Sequence, residues 1–230
     1  MSDAITPPFQ GFPTAATGFF RELALNQSRE WFAKHKTDYE RFVRAPLGAL
    51  LGAVTARLAA TPLPLVGDPR RSVFRIHRDV RFGADKSPYK TNASAVWSRD
   101  GSKTSPGLIY FHFGANEIFV AAGLYMPMPE DLHRLRAGMA CDPEAWAVIR
   151  HGLEKRGLTL MSEGALARVP RGFESAPTAL HDDLRLKSWV VSRTIAPKTA
   201  RSPELVGVIT EHALACAELL EFGWTALEAA

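Results

Sequence analysis

The spacing of apolar residues divides the chain into a helical beginning, a strand-rich middle and a helical end. Before about residue 60, large apolar residues recur every three or four positions, which predicts amphipathic helices. Asn26 or Ser28 can cap the second of these helices, and Thr37 with Glu40 has the form of a capping box. Pro46 suits the first turn of the helix that follows.

In the middle of the chain, runs of β-branched and aromatic residues predict strands. These strands are expected at residues 73–82, 93–98, 108–113, 118–122 and 189–195. The connection Gly114-Ala115-Asn116 is too short for a crossover, so it predicts an antiparallel hairpin. Helices are expected at 130–139, at 144–156 and in one long run from about 202 through Phe222. The pattern predicts an α+β fold with a mainly antiparallel sheet covered by N-terminal and C-terminal helices.

Length and composition predict the domain organisation and the cellular location of the protein. We expect an N-terminal extension at 1–13 and a single α+β domain at 14–230. No apolar run approaches the roughly 20 residues that a membrane span needs, so we expect a soluble protein with no membrane partner. Cys141 and Cys216 lie in apolar helical patterns, which predicts core thiols and a cytoplasmic location. The sequence leaves the oligomeric state open.

The richest polar chemistry lies between residues 70 and 91. Read with a period of two, the predicted strand places alternate polar residues on one side. Guanidinium groups bind phosphate or carboxylate bidentately, and lysines add a point charge. With a net charge of +4 the chain is mildly basic. We therefore predict a site for an anionic small molecule or a phosphate-bearing group, with the charge fixed by Arg75, Arg81, Lys86 and Lys90 and the ligand oriented by Ser87, Tyr89 and Thr91.

The same segment supports three other interpretations. An enzyme would use His77 as general acid or base, oriented by Asp79 on the same strand side. A nucleic-acid or protein interaction module would use the basic surface, with bases stacking on aromatic side chains at Trp31, Trp97, Tyr110 and Trp189. A purely structural segment would neutralise two cations with Asp79 and Asp85 and pack Tyr89 under the sheet.

No cofactor or metal site is predicted. His181-Asp182-Asp183 is similar to a metal-binding motif, but the other histidines do not stand at the spacings that such a site requires. Neither a glycine-rich phosphate loop nor a nucleophile elbow occurs in the sequence.

Five short motifs follow one another along the chain in an order typical of one protein family. They are residues 26–32 (NQSREWF), 81–82 (RF) with 85–91 (DKSPYKT), 122–125 (AGLY) with Pro127, 170–173 (PRGF) and 186–189 (LKSW). Together they resemble the family known as domain of unknown function 2461, over residues from about 19 to 224. The chain departs from the family pattern at Asn26-Gln27, where the family has paired asparagines, and at 174–177, where a His-Pro is expected. The resemblance implies a single-domain protein and supplies no mechanism.

Overall fold

A computed structural model gives the structure of the protein and describes residues 8–81 and 84–229. The chain divides into two compact units. The first comprises Met1–Lys103, Tyr110–Val120 and Thr194–Glu211, and the second comprises Thr104–Ile109, Ala121–Arg193 and His212–Ala230. The single domain at 14–230 stays a prediction.

The first unit begins with three helices joined almost without interruption. They are α1 (Thr14–Leu25), α2 (Arg29–Tyr39) and α3 (Ala45–Leu58), with a π-helical stretch at Glu40–Arg44. Ser28 caps α2, because its hydroxyl accepts the N–H of Trp31 at 3.1 Å, which confirms one of the two predicted caps. The predicted capping box at Thr37 and Glu40 is wrong, because the backbone stays helical from α2 through to α3.

Residues that precede α1 contribute to the core of the first unit. Phe12 is buried, and its ring stacks on Phe113 with the centroids 4.2 Å apart. Its N–H donates to the carbonyl of Ala200 at 2.9 Å. The predicted extension at 1–13 is therefore packed at Phe12, whereas its residues 1–7 lie outside the described part of the chain.

Four antiparallel strands form one sheet in the order β1-β2-β3-β4, which confirms the predicted α+β class. The strands are β1 (Asn92–Trp97), β2 (Leu108–Gly114), β3 (Ile118–Leu124) and β4 (Trp189–Thr194). The hairpin predicted between β2 and β3 is present, and the N–H of Gly114 donates to the carbonyl of Glu117 at 2.9 Å where the two strands meet.

The two faces of β2 differ in burial. Ile109 and Phe111 are fully buried, whereas Tyr110 and His112, which alternate with them, are half-buried. In β1, Trp97 faces the N-terminal helices, because its indole donates to the carbonyl of Leu51 in α3 at 3.1 Å. The N-terminal helices thus cover one face of the sheet, and the other face stays partly open.

The remaining helices differ from the predicted ones mainly at the C-terminus. They are α4 (Pro129–Cys141), α5 (Pro143–Lys155), α6 (His181–Leu184), α7 (Pro197–Ala200), α8 (Glu204–Ala215) and α9 (Ala217–Glu228). The single long helix predicted at the end is wrong, because the backbone leaves the helical region at Cys216 (φ −105°, ψ 9°). In the described residues, no helix is both long and apolar enough to cross a membrane.

The two cysteines occupy different environments. Cys216 is buried, and burial raises the pKa of its thiol to about 12. Cys141 is exposed at the end of α4, so the prediction of two core thiols is wrong for this residue.

Gly123 allows β4 to approach β3 closely. Its φ of +138° is rare for a residue with a side chain, and a Cβ would collide with the carbonyl oxygen of Trp189. We expect Gly123→Ala to lower the free energy of unfolding by about 3 kcal/mol, which urea denaturation measures. The control is Gly157→Ala, whose φ of +69° lies in the left-handed region and costs a residue with a side chain about 1 to 2 kcal/mol, and which meets no described atom within 4 Å. Equal losses in the two variants would contradict the steric role of Gly123.

Candidate functional site

The basic segment, residues 70–81 and 84–91, is a loop held by isolated bridges. Val73 pairs with Ala95 of β1, and His77 pairs with Tyr89 later in the same segment. The continuous strand predicted at 73–82 is therefore wrong over its described part, and Phe82 lies outside the described residues.

Carboxylate side chains explain why this segment does not extend as a strand. Asp79 Oδ1 accepts the N–H of Arg81 at 3.2 Å, and Asp85 Oδ1 accepts the N–H of Ser87 at 2.8 Å. Bonds of this kind between a side chain and the backbone two residues later form local turns, which compete with a regular ladder.

Both acids of the segment also form ion pairs. Asp79 is bidentate with Arg81, at 2.9 Å from Nε and 2.7 Å from Nη2, and this pairing holds the pKa of Asp79 below its usual value. The pKa of Asp85 falls to about 2 because it accepts hydrogen bonds from Ser87, first from the hydroxyl and then from the N–H, and because Arg78 pairs with it. One predicted anion ligand, Arg81, is therefore already paired, and Arg78 is a cation that the prediction left out.

The two residues of the predicted acid–base pair, His77 and Asp79, contact other groups. His77 is exposed and lies beside aromatic rings, 5.2 Å from Tyr89 and 6.0 Å from Phe32 between centroids. Both oxygens of Asp79 are engaged by Arg81, and within residues 8–81 and 84–229 no hydrogen bond joins Asp79 to His77. Catalysis by this pair stays a prediction.

Tyr89 fixes the loop of the basic segment to α2. Its ring is buried and stacks on Phe32 at 4.4 Å, and its N–H donates to the side-chain oxygen of Gln27 at 3.1 Å. Gln27 and Phe32 belong to the NQSREWF motif, and Tyr89 belongs to DKSPYKT. The fold thus brings these two motifs together and buries Tyr89, and the contact of Tyr89 with a ligand stays a prediction.

Four other predicted ligands lie within the basic segment. Arg75, Lys86 and Thr91 are exposed, and Ser87 is half-buried. Lys86 Nζ donates to the carbonyl of Val80 at 2.9 Å, which ties its ammonium to the loop backbone.

Lys90 is half-buried in what we call the inner cation group, Arg75, Arg78, Lys90 and Lys103. The ammonium groups of Lys90 and Lys103 lie 5.3 and 5.8 Å from the centroid of one ring, Phe74. The pKa of Lys90 lies below its usual value because burial penalises its charge, and further because Arg75, Arg78 and Lys103 repel it. Positive charge is therefore concentrated around Phe74.

Lys103 is a member of this group that the sequence did not reveal. It lies between β1 and β2, and its ammonium donates to the carbonyls of Arg71 and Val73, the latter at 3.3 Å. It approaches the basic segment because Val73 pairs with β1, and the spacing of residues along the chain carries no signal of that pairing.

The partly open sheet face continues from Phe74 as what we call the aromatic row, Phe74, Tyr110, His112 and Phe119. Ring centroids are 5.9 Å apart for Phe74 and Tyr110, 5.8 Å for Tyr110 and Phe119, and 4.8 Å for the stacked pair of His112 and Phe119. All four side chains are half-buried. The bridge between Val73 and β1 sets Phe74 opposite Ser94, whose carbonyl accepts the N–H of Phe74 at 3.0 Å.

The row ends at a carboxylate. His112 Nε2 lies 3.4 Å from Glu117 Oε1, and Glu117 is largely exposed. Burial lowers the pKa of His112, and the charge of Glu117 partly offsets this.

The prediction that bases stack on aromatic side chains is wrong for two of the four residues. Trp97 and Trp189 are buried, and their indoles donate to backbone carbonyls in the core. Trp31 is half-buried and stacks on His35 at 4.0 Å. Tyr110 alone among the four lies in the aromatic row.

The motif His181-Asp182-Asp183 supplies a structural carboxylate. Asp183 is buried, accepts a hydrogen bond from the indole of Trp146 at 2.6 Å and forms an ion pair with Arg150, whose Nε lies 3.1 Å from the carboxylate. Burial raises the pKa of this carboxyl. In the part of the chain that the structure describes, no group of three or more His, Cys, Asp or Glu side chains is placed to hold a metal ion.

Comparison with known proteins identifies a family. The model of the family described as conserved hypothetical protein (DUF2461) matches residues 15–222, a range that includes the inner cation group and the aromatic row. No curated protein and no solved structure matches the chain.

The anchoring role of Tyr89 is testable by truncation. We expect Tyr89→Ala to lower the free energy of unfolding by about 3 to 5 kcal/mol, because it empties a buried ring site against Phe32. Urea denaturation measures the loss. The matched control is Tyr125→Ala, since Tyr125 is 74% exposed, and we expect a change within about 0.5 kcal/mol. A Tyr89 variant as stable as the control would exclude the anchoring role.

Proposed function

The chain belongs to the DUF2461 family, and for this member we propose that the basic segment binds an anionic small molecule or a phosphate-bearing group. The observation that carries the proposal is the concentration of positive charge around Phe74, where Lys90 is half-buried with Arg75, Arg78 and Lys103 acting on it. A bound anion would offset the like-charge repulsion that these cations impose on Lys90.

Pairing with acids accounts for only part of the charge in this region. Arg78 and Arg81 have Asp85 and Asp79, and exposed pairs of this kind contribute little to stability. Within the described residues, Arg75, Lys90 and Lys103 have no carboxylate within 4 Å. These three cations are the ones that a ligand would engage first.

The chemistry of the three groups suits a phosphate or carboxylate. The exposed guanidinium of Arg75 offers a planar pair of donors, and the ammonium groups of Lys90 and Lys103 lie 5.3 and 5.8 Å from the centroid of one ring, Phe74. Arg81, Lys86, Ser87 and Thr91 would border the ligand, and Tyr89 would support the loop from the core.

Substitution of Lys90 tests the proposal. We expect pyrophosphate to raise the melting temperature of the full-length protein, since a ligand that binds the folded state alone stabilises it by about 2.7 kcal/mol at 100 times its Kd. Lys90→Met should lose this shift while the unliganded variant melts close to the wild type. Lys198→Met, a control on α7 and away from the basic segment, should keep the shift. An unshifted wild type, or a Lys90 variant with the full shift, would refute the proposal.

The pH dependence of binding gives a second test. In the unliganded fold the pKa of Lys90 is below the ordinary 10.5, so its charge opposes folding at neutral pH, and that opposition is lost as pH rises from the lowered pKa to 10.5. An anion favours the protonated ammonium, so pyrophosphate affinity should fall as pH rises through the same window. Titration calorimetry at constant ionic strength should show a steeper fall for the wild type than for Lys90→Met. Parallel profiles would place the anion elsewhere.

A further inference from the structure

The aromatic row begins where the inner cation group ends, because Phe74 belongs to both. The two lysine ammonium groups lie 5.3 and 5.8 Å from its centroid, and the ring of Tyr110 meets it edge to face with the centroids 5.9 Å apart. A phosphate held by Lys90 and Lys103 is therefore next to a series of half-buried rings. Whatever is attached to that phosphate extends over an aromatic surface.

The shape of this surface favours a flat group. The ring centroids of Tyr110 and Phe119 are 5.8 Å apart with their planes inclined at 42°, and His112 stacks on Phe119 with an interplanar angle of 11°, so a flat group can stack on one of these rings and contact its neighbour. Rings of this kind on a sheet face bind bases by stacking, which contributes about 1 to 3 kcal/mol per base. The same rings are half-buried, so they are held in place before a ligand arrives.

The charge along the row is asymmetric. Cations surround the Phe74 end, whereas Glu117 lies at the other end, 3.4 Å from His112. The carboxylate of Glu117 repels any phosphate at its own end of the row and accepts hydrogen bonds from amino or hydroxyl groups. The complement of this surface is a small ligand with negative charge at one end and a neutral, flat, hydrogen-bonding ring at the other. A polynucleotide, whose phosphates repeat along its length, fits this charge pattern poorly.

We propose that the ligand of this protein is a free nucleoside phosphate, with its phosphate on Lys90 and Lys103 and its base stacked on Phe119 and in contact with Tyr110. This inference rests on the proposed anion-binding function, because it adds a base to the phosphate that the inner cation group holds. Glu117 and His112 form the polar end of the site, where the exocyclic groups of the base lie.

The test compares ligands that share a diphosphate and differ in the ring. Titration calorimetry with the full-length protein measures methyl diphosphate, which carries the same diphosphate ester without a base, and adenosine diphosphate. We expect adenosine diphosphate to bind about 10-fold to 100-fold more tightly, the range that stacking of one base supplies. Equal affinities would overturn the inference and leave the proposed anion site standing. Failure of both ligands to bind would overturn both proposals.

Variants then locate the base. Phe119→Leu keeps an apolar side chain and removes the ring, so it should abolish the advantage of adenosine diphosphate and leave methyl diphosphate binding unchanged. The control is Phe42→Leu, because Phe42 is a half-buried ring in the π-helical stretch outside the aromatic row. An unchanged advantage in Phe119→Leu would overturn the placement of the base.

Two further measurements keep the inference testable if Phe119→Leu does not fold. In the wild-type protein, NMR should detect contacts between adenine protons and the ring protons of Phe119 and Tyr110, and their absence in a saturated complex would overturn the proposal. A single-stranded oligonucleotide of about ten residues should bind no more tightly per site than adenosine diphosphate. Tighter binding would identify single-stranded nucleic acid as the ligand and overturn the assignment of a free nucleotide.

Discussion

The stack of Tyr89 on Phe32 is the contact on which the geometry of the candidate site depends. It buries one residue of a loop that is otherwise polar, and it is reinforced by the bond from the Tyr89 N–H to Gln27. Once Tyr89 is fixed in the core, the next residue, Lys90, is fixed as well, because its N–H donates to the carbonyl of Ile76 at 2.8 Å. A single aromatic anchor therefore determines where a half-buried cation lies.

Near the concentrated positive charge, the nearby carboxylates form turns and pair with arginines, and backbone carbonyls hold a lysine. Asp79 and Asp85 shape turns and pair with arginines at the exposed edge of the segment. Lys103 is held by backbone carbonyls, and the face of Phe74 gives both lysines a modest cation–π attraction. These contacts hold the ammonium groups in position, and in the part of the chain that the structure describes neither ammonium has a carboxylate within 4 Å, which is the arrangement expected where an external anion binds.

Local patterns were sufficient for the sheet and for most helices, because hairpin length, caps and apolar spacing act over a few residues. The connection at 114–116 predicted the β2–β3 hairpin correctly, whereas the strand expected at 73–82 is interrupted where Asp79 accepts the backbone N–H of Arg81. The site was less accessible to sequence reasoning. Lys103 lies near the basic segment because of strand pairing, and Tyr89 is buried because it stacks on Phe32. Both contacts are made with distant parts of the chain.

The unequal environments of the two cysteines make the natural chain suitable for attachment of a single reporter group. Thiolate is the reactive form of cysteine, and the buried thiol of Cys216, with its pKa near 12, is almost entirely protonated at neutral pH. Cys141 is exposed at the end of α4, in the unit that does not contain the inner cation group. A fluorophore or spin label at Cys141 would therefore report on the protein without any engineered cysteine and without modifying the residues around Lys90.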